Sequence, residues 1–473
     1  MISNERQLDD VSAGQEAGGQ RSRLAIFVGA MVLLLAVLRQ EKFWSAQAAE
    51  SPTTFQWFAA IYAAIMLGAF AWRVVLWLRY RPDAPVDEAL LPRISVIIPA
   101  YNEGALVRSS ILSALRGDYP EDRLEVIAID DGSDDDTWRH IRDASSAAAG
   151  GARLITHRLP ENRGKREALS AGFGMASGDV FVTLDSDSVL EPDALRRLVA
   201  PIVRDDKIDC VAGCVRVLNG QASMITRLLK CYYSLSFRFV RAYQNGFRGV
   251  FCAPGAISAY RASAVRRVLG AWRDQTFLGR QCVTGEDRSL TNLVMRSGGL
   301  TAYQQTAVAH TAVPETYTGM ARMFLRWARS NIRETIVLWR FMWRPFRERH
   351  LGQFRFNMTL VLMSLVLPHF FVAHSAALFM ASDGFLLRYV MAVMFGGLVM
   401  GAIYYRNERD GDWIWLVFYQ FFWVVFLSWI LPYAAMTLRN TGWLTRGQSS
   451  ADSSATEKPV SSSASSTLAT ASA

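Results

Sequence analysis

Long apolar runs stand at both ends of this chain, with a long polar stretch between them. Residues 24–38 read LAIFVGAMVLLLAVL, and residues 55–78 read FQWFAAIYAAIMLGAFAWRVVLWL with Arg73 as the one charge. A helix rising 1.5 Å per residue needs about 20 apolar residues to cross roughly 30 Å of hydrocarbon. The second run is long enough, and the first leans on its flanks. A cleavable leader is disfavoured there, because no small-residue cleavage site follows and a further apolar run does. Three more runs, 356–381, 385–405 and 413–437, close the chain. Asp383 with Gly384 separates the first two, and the stretch from Arg406 to Asp412 separates the last two. From Gln448 the tail is rich in Ser and Ala and reads as disordered.

With 51% hydrophobic and 20% charged residues, the 473-residue chain is too apolar for a disordered protein. The 51 basic residues outnumber the 42 acidic ones, which suits anionic lipid, nucleic acid or phosphate-rich substrates. The most concentrated basic stretch decides against nucleic acid. Residues 318–350 carry eight Arg and two Glu interleaved with Trp, Phe, Leu and Met, a helix pattern for a membrane surface. The five cysteines (Cys210, Cys214, Cys231, Cys252, Cys282) lie in one central stretch without a CxxC pair. They make neither a disulfide scaffold nor a zinc module. Arg21 and Arg23 precede the first run, and Arg79 and Arg81 follow the second. The positive-inside tendency therefore places both ends of this hairpin, and the domain from about 90 to 315, in the cytoplasm.

The region 93–315 alternates apolar strands with helical stretches, as α/β units do. Candidate strands are Ile94–Ile98, Glu125–Ile129, Arg153–His157 and Val180–Leu184. Ligands of open parallel sheets gather at the carboxyl ends of strands. The segments emerging there are Pro99-Ala-Tyr-Asn-Glu103, Asp130-Asp-Gly-Ser133 and Asp185-Ser-Asp187. Carboxylates at i and i+2 of an extended chain point to opposite faces, so Asp185 and Asp187 can divide a ligand and a Mg²⁺ or Mn²⁺ ion between them. A solvated acidic turn would read the same. Asp130 and Asp131 suit a ribose or base, or a helix cap. Glu161-Asn-Arg-Gly-Lys-Arg166 opens a helical stretch and suits a diphosphate, or is a basic loop. Gly285-Glu-Asp287 offers a general base, or another cap.

Taken in order, SVIIPAYNE, IDDGS, ENRGKREAL, TLDSDS, GED and an Arg-Trp pair (Arg326, Trp327) resemble the inverting family 2 glycosyltransferases built into membranes. The resemblance runs from about 90 to 447. It is closest to hyaluronan synthases and rhizobial chitin-oligosaccharide synthases, with chitin and cellulose synthases more distant. It implies an α/β GT-A (Rossmann-like) cytoplasmic domain plus an α-helical transmembrane bundle with interfacial amphipathic helices. Tyr101, Glu103 and Asp131 would hold uridine, Lys165 the diphosphate, and Asp185 and Asp187 nucleotide and metal. Asp287 would be the general base, with Glu286 beside it, and Arg326 would meet the diphosphate. Trp327 would stack on the acceptor sugar, and the loop with Cys252, Pro254 and Gly255 would bind acceptor. Trp443 and Arg446 resemble the family's closing motif near the nucleotide. One position departs: Met323 stands where the family has Gln, and Met cannot make that amide's hydrogen bonds.

The resemblance implies a multi-pass inner-membrane enzyme that polymerises sugars from UDP-GlcNAc, UDP-GlcA or UDP-Glc by inverting transfer. The growing polysaccharide would leave through the enzyme's own channel, with room for accessory export proteins. Asn357, Ser364, His369, His374, Gln420 and Ser428 are polar residues for such a pore, or for helix packing. Two other readings share these motifs: a single-sugar transferase acting on a polyprenyl phosphate, and a non-catalytic export or sensor subunit. The expected divisions are a cytoplasmic segment (1–23), two transmembrane helices (24–80), the transferase domain (90–315), interfacial helices (316–352), a C-terminal membrane region (353–447) and the tail (448–473). Five apolar runs would leave Trp443 outside the cell, so a break at Pro432 in the last run is expected to restore the count.

Overall fold

The computed structural model describes residues 54–147, 153–363 and 385–440. Helix α1 (Thr54–Arg79) leads into β1 (Ile94–Ala100), α2 (Leu106–Leu115), β2 (Leu124–Asp130), α3 (Thr137–Ala147), β3 (Arg153–Arg158) and α4 (Lys165–Met175). Then come β4 (Val180–Thr183), β5 (Ser188–Leu190), α5 (Ala194–Arg204), β6 (Ile208–Val217) and α6 (Met224–Ser234). Helix α6 continues through a π-helical stretch, Leu235–Arg241, and a last turn, Ala242–Asn245. The domain closes with β7 (Ser258–Arg261), α7 (Ala262–Arg273), the short pair β8 (Thr276–Phe277) and β9 (Arg280–Gln281), α8 (Glu286–Arg296) and β10 (Leu300–Thr311).

Eight strands form one mixed sheet in the order β3-β2-β1-β4-β7-β6-β10-β5. Every residue of β1, β2 and β4 is buried, as expected of parallel strands covered on both faces. Strands β1, β2 and β4 are parallel neighbours, so the three loops read as ligand-bearing leave one edge side by side. The four strands anticipated from sequence all form. Antiparallel β7 joins β4 to β6, β10 pairs parallel with β6, and antiparallel β5 on β10 completes the sheet.

Helix α9 (Tyr317–Met342) carries the Arg-Trp pair. It departs from a simple surface helix with one apolar and one cationic side. Arg329, Arg333 and Glu334 are buried, and Trp339 and Trp343 are exposed at its end. Arg333 and Glu334 are turned to the α/β domain, where they find partners, Arg329 donates to Thr437 Oγ1 at 3.0 Å, and Arg340 stays exposed. A helical stretch at 351–363 follows.

Helices α1 and α10 (Phe385–Glu408) contain segments, Ile61–Arg79 and Tyr389–Glu408, long and apolar enough to cross a membrane. The last apolar run is bent by 40°: Gly411–Leu427, which includes α11 (Ile414–Phe422), meets α12 (Ile430–Met436). The break falls at Ser428–Trp429 rather than at Pro432 itself. A proline ring clashes with the carbonyl four residues earlier, here that of Ser428, and is tolerated in a first turn. The apolar run 24–38, part of the run 356–381, Ser364, His369, His374 and the tail lie outside the described residues.

Candidate active site

The loops after β1 and β2 are tied to each other. The backbone N–H of Asn102, at φ +50°, donates to Ser133 Oγ at 3.0 Å, and Asp134 N–H returns a bond to Asn102 Oδ1 at 3.0 Å. Glu103 N–H donates to Thr137 Oγ1 at 2.8 Å. The Asp131 carboxylate accepts from the backbone N–H of Arg163 at 2.9 Å and of Gly164 at 2.8 Å. Asp131 thus holds the basic loop that opens α4. Gly132, at φ +68°, lets the chain pass that loop: a Cβ there would sit 2.5–2.8 Å from the Glu161 and Asn162 backbone. Tyr101, Glu103 and Asp131 therefore share one edge of the sheet.

Lys165, the first residue of α4, reaches across to two carboxylates. Its Nζ lies 2.5 Å from Asp185 Oδ1 and 3.1 Å from Glu286 Oε1. Glu286 and Asp287 occupy the first turn of α8, where the N-terminal N–H groups favour negative charge. The indole N–H of Trp272 donates to the Glu286 carbonyl at 2.9 Å, and Cys252 Sγ donates to Asp287 Oδ2 at 3.4 Å. Gly255 faces the same cluster: a Cβ there would lie 2.7 Å from Lys165 Nζ and 2.9 Å from Asp185 Oδ1.

Charge and burial push the two α8 carboxyls apart. Burial would raise Glu286, but Lys165 and then Arg326 hold it down at about 2. Burial, and after it the Glu286 charge, raise Asp287 above the usual carboxylate range. Burial likewise pushes the Cys252 thiol up, with Asp287 adding to it, so Cys252 is a protonated donor. Neighbouring acid groups whose titrations separate in this way are the pattern that assigns acid–base roles.

On α9, Trp327 stacks on Tyr232 with centroids 6.2 Å apart and planes at 24°, with Tyr233 at 6.1 Å and Phe324 at 5.7 Å. Met323 is buried in an apolar cluster with Leu228, Phe324, Leu416 and Tyr419. Sequence reasoning missed Tyr232 and Tyr233. Their signal was an aromatic pair inside an apolar helical run. It also missed the buried support behind Glu286 and Asp287. Glu334 accepts from Arg333 Nε at 3.0 Å, Gln275 Nε2 at 3.1 Å and Asn292 Nδ2 at 3.0 Å. Arg333 also donates to the Thr284 carbonyl, and Arg288 donates to Asn331 at 2.6 Å and Thr335 at 2.7 Å. Trp443 and Arg446 lie outside the described residues.

Among the described residues, no group of three or more His, Cys, Asp or Glu converges as an all-protein metal cage requires. A Mg²⁺-type site needs only one or two carboxylates and completes its shell with substrate phosphates. Asp187, whose Oδ1 accepts from Ser188 Oγ at 3.2 Å, and Asp185, shared with Lys165, are oxygen donors of that kind and fit it.

Residues 92–330 match the family described as glycosyltransferase like family 2. An N-acetylglucosaminyltransferase of Rhizobium sp. (strain N33) is 32% identical over 369 residues, covering 77% of this chain and 80% of the relative. An N-acetylglucosaminyltransferase of Azorhizobium caulinodans is 29% identical over 366 residues, covering 76% and 89%. Among solved structures, a mannosyltransferase from Pyrobaculum calidifontis, in complex with GDP-Man and Mn²⁺, superposes with a TM-score of 0.53 at 22% identity. The match covers 78% of this chain and 98% of that one, and it establishes a shared GT-A fold.

Proposed function

Since this chain belongs to the glycosyltransferase like family 2, we propose that it is a membrane-bound inverting β-glycosyltransferase that builds a polymer from UDP-sugars, UDP-GlcNAc foremost. The observation that carries the reading is the cluster of Lys165, Asp185, Glu286 and Asp287 at the carboxyl edge of the sheet. The names of the Rhizobium and Azorhizobium relatives favour GlcNAc as the sugar.

Asp287 takes the proton of an acceptor hydroxyl as that oxygen bonds to the donor's anomeric carbon. The C1–O bond to UDP breaks on the opposite face, and the electron pair leaves on the diphosphate. A carboxyl raised by burial and by Glu286 is a better base than an ordinary aspartate. Lys165 and Arg326 supply positive charge against the diphosphate. A bound Mg²⁺ or Mn²⁺, held by Asp187 and Asp185, would add Lewis-acid charge neutralisation there. The Trp327–Tyr232 platform orients the acceptor ring, since sugar faces pack on aromatic faces. Helices α1 and α10 keep this chemistry at a membrane, where a polar chain needs a lined path to cross lipid.

Membranes carrying the chain are given UDP-GlcNAc, UDP-GlcA and UDP-Glc, singly and in pairs, and the products are digested with linkage-specific glycosidases. A long β-linked polymer is expected from UDP-GlcNAc. A single lipid-linked sugar would replace this reading with transfer to a polyprenyl phosphate, and the absence of UDP release would end the transferase reading altogether.

A further inference from the structure

The ends of α1 and α10 border an open cavity of about 230 Å³ that shares no lining residue with the Lys165–Asp185–Glu286–Asp287 cluster. Its wall includes Trp77 in the last turn of α1, Tyr80 and Arg81 just beyond it, Gln305 of β10, and Arg406 and Arg409 at the end of α10. Three arginines line it, and among the described residues no carboxylate does. The acids on either side of Arg409 are turned to other partners. Glu408 pairs with Arg216 at 3.6 Å and Arg238 at 3.3 Å, and Asp410 pairs with Lys230 at 2.7 Å.

The site is held in shape. Arg81 Nη1 donates to the carbonyls of Leu78 at 3.0 Å and Tyr80 at 2.8 Å. The Arg406 guanidinium lies over the Trp77 ring, 5.4 Å from its centroid. Arg409, at φ +57°, closes its helix through its backbone N–H, which donates to the Tyr405 carbonyl at 2.9 Å. Tyr80 anchors the floor to the sheet, its hydroxyl donating to the Tyr303 carbonyl at 3.1 Å. A water occupies about 30 Å³ of liquid, so the cavity has room for a phosphate with its ester arms.

Its place in the molecule names the source of the phosphate. Both helices that meet here contain a segment long and apolar enough to cross a membrane, and both segments end at the cavity, at Arg79 and Glu408. Aromatic and cationic residues at the end of a span sit at headgroup depth. Leu78, which also lines the cavity, is exposed and gives it one apolar edge. We propose that this cavity binds the phosphate of an anionic phospholipid in the cytoplasmic leaflet, through Arg81, Arg406 and Arg409. The assignment rests on the membrane placement of α1 and α10 and is independent of the transfer reaction.

Native mass spectrometry of the detergent-purified full chain, with added phosphatidylglycerol or phosphatidylcholine, tests it. Phosphatidylglycerol adducts are expected to outlast phosphatidylcholine adducts. Each arginine near a lipid surface contributes about fivefold. The triple variant Arg81→Gln/Arg406→Gln/Arg409→Gln should therefore weaken phosphatidylglycerol binding about a hundredfold. Arg139→Gln/Arg142→Gln, on the remote helix α3, should leave it unchanged. Unaltered adducts in the triple variant would overturn the site. Displacement of phosphatidylglycerol by millimolar inorganic phosphate would make it a soluble-phosphate site and overturn the lipid assignment. If the triple variant does not fold, Arg409→Gln alone is read the same way, with about a fivefold loss expected and no loss counting against the site. The readout is lipid retention, so an inactive transferase leaves the test intact.

Discussion

Lys165 Nζ stands 2.5 Å from Asp185 Oδ1 while also reaching Glu286 at 3.1 Å, so one ammonium ties the loop after β4 to the first turn of α8. Two segments a hundred residues apart in sequence meet on one charge. Removing that charge leaves two carboxylates facing each other in a largely buried place. Breaking a buried pair from one side typically costs about 3–5 kcal/mol.

Lys165→Met should therefore lower the melting temperature at pH 7 and abolish turnover. The sign of the pH dependence is fixed by Glu286. Its folded carboxyl is held at about 2 against an ordinary value of 4.5, so its stabilising contribution is present above 4.5 and lost as pH falls toward 2. The gap in melting temperature between parent and variant should narrow across that window. A gap that stays constant from pH 7 to pH 3 would show that Lys165 does not hold Glu286 down.

Asp287 behaves in the opposite sense, and the proposed transfer depends on it. Its carboxyl is raised by burial and by Glu286, and only its ionised form accepts a proton. The rate of transfer should fall as pH falls through that raised value, with an acid limb above the ordinary aspartate value of 3.8. Asp287→Asn should abolish transfer, keep donor binding and raise the melting temperature slightly, because it removes a charge facing Glu286. Normal turnover in that variant, measured as UDP release, would refute the base assignment.

Gly255 tests how closely the loop from Cys252 to Gly255 must approach Lys165 and Asp185. A methyl group there would press on Lys165 Nζ at 2.7 Å and Asp185 Oδ1 at 2.9 Å. Overpacking costs about 1–3 kcal/mol. Because the strained contacts belong to the reacting cluster, Gly255→Ala should lower kcat about tenfold to a hundredfold with a smaller change in melting temperature. Unchanged kcat would mean that the Lys165–Asp185 pair can move without consequence.

The segments after strand ends were legible in the sequence because apolar runs such as VFVTL stop abruptly at aspartates, and a parallel sheet puts such stops on one edge. Strands β6, β7 and β10 were not read. Strand β10 carries Gln304 and Gln305 in mid-run, and β6 carries Gly213, so neither shows clean apolar patterning. The insertion of β7 antiparallel between β4 and β6 is a tertiary choice that no local pattern encodes. The inward turn of two α9 arginines, Arg329 and Arg333, went unread for a related reason. Composition suggests a cationic outer face, but Arg333 is buried because Glu334 and the Thr284 carbonyl receive it. Met323 marked a departure from the resembled pattern, and only its neighbours say what it does.

Those neighbours make Met323 the last test. It is 5% exposed, in a cluster of Leu228, Phe324, Leu416 and Tyr419 that joins α6 and α9 to α11. A flexible thioether fills such a gap well. A glutamine there would bury an amide among apolar side chains, which costs about 1–3 kcal/mol when no partner is made. Met323→Gln, although it restores the residue of the resembled family, should lower the melting temperature by several degrees and leave UDP release at or below the parent's. A variant that is both as stable as the parent and makes longer product would show that the amide finds the acceptor, and that position 323 faces the sugar rather than the apolar cluster.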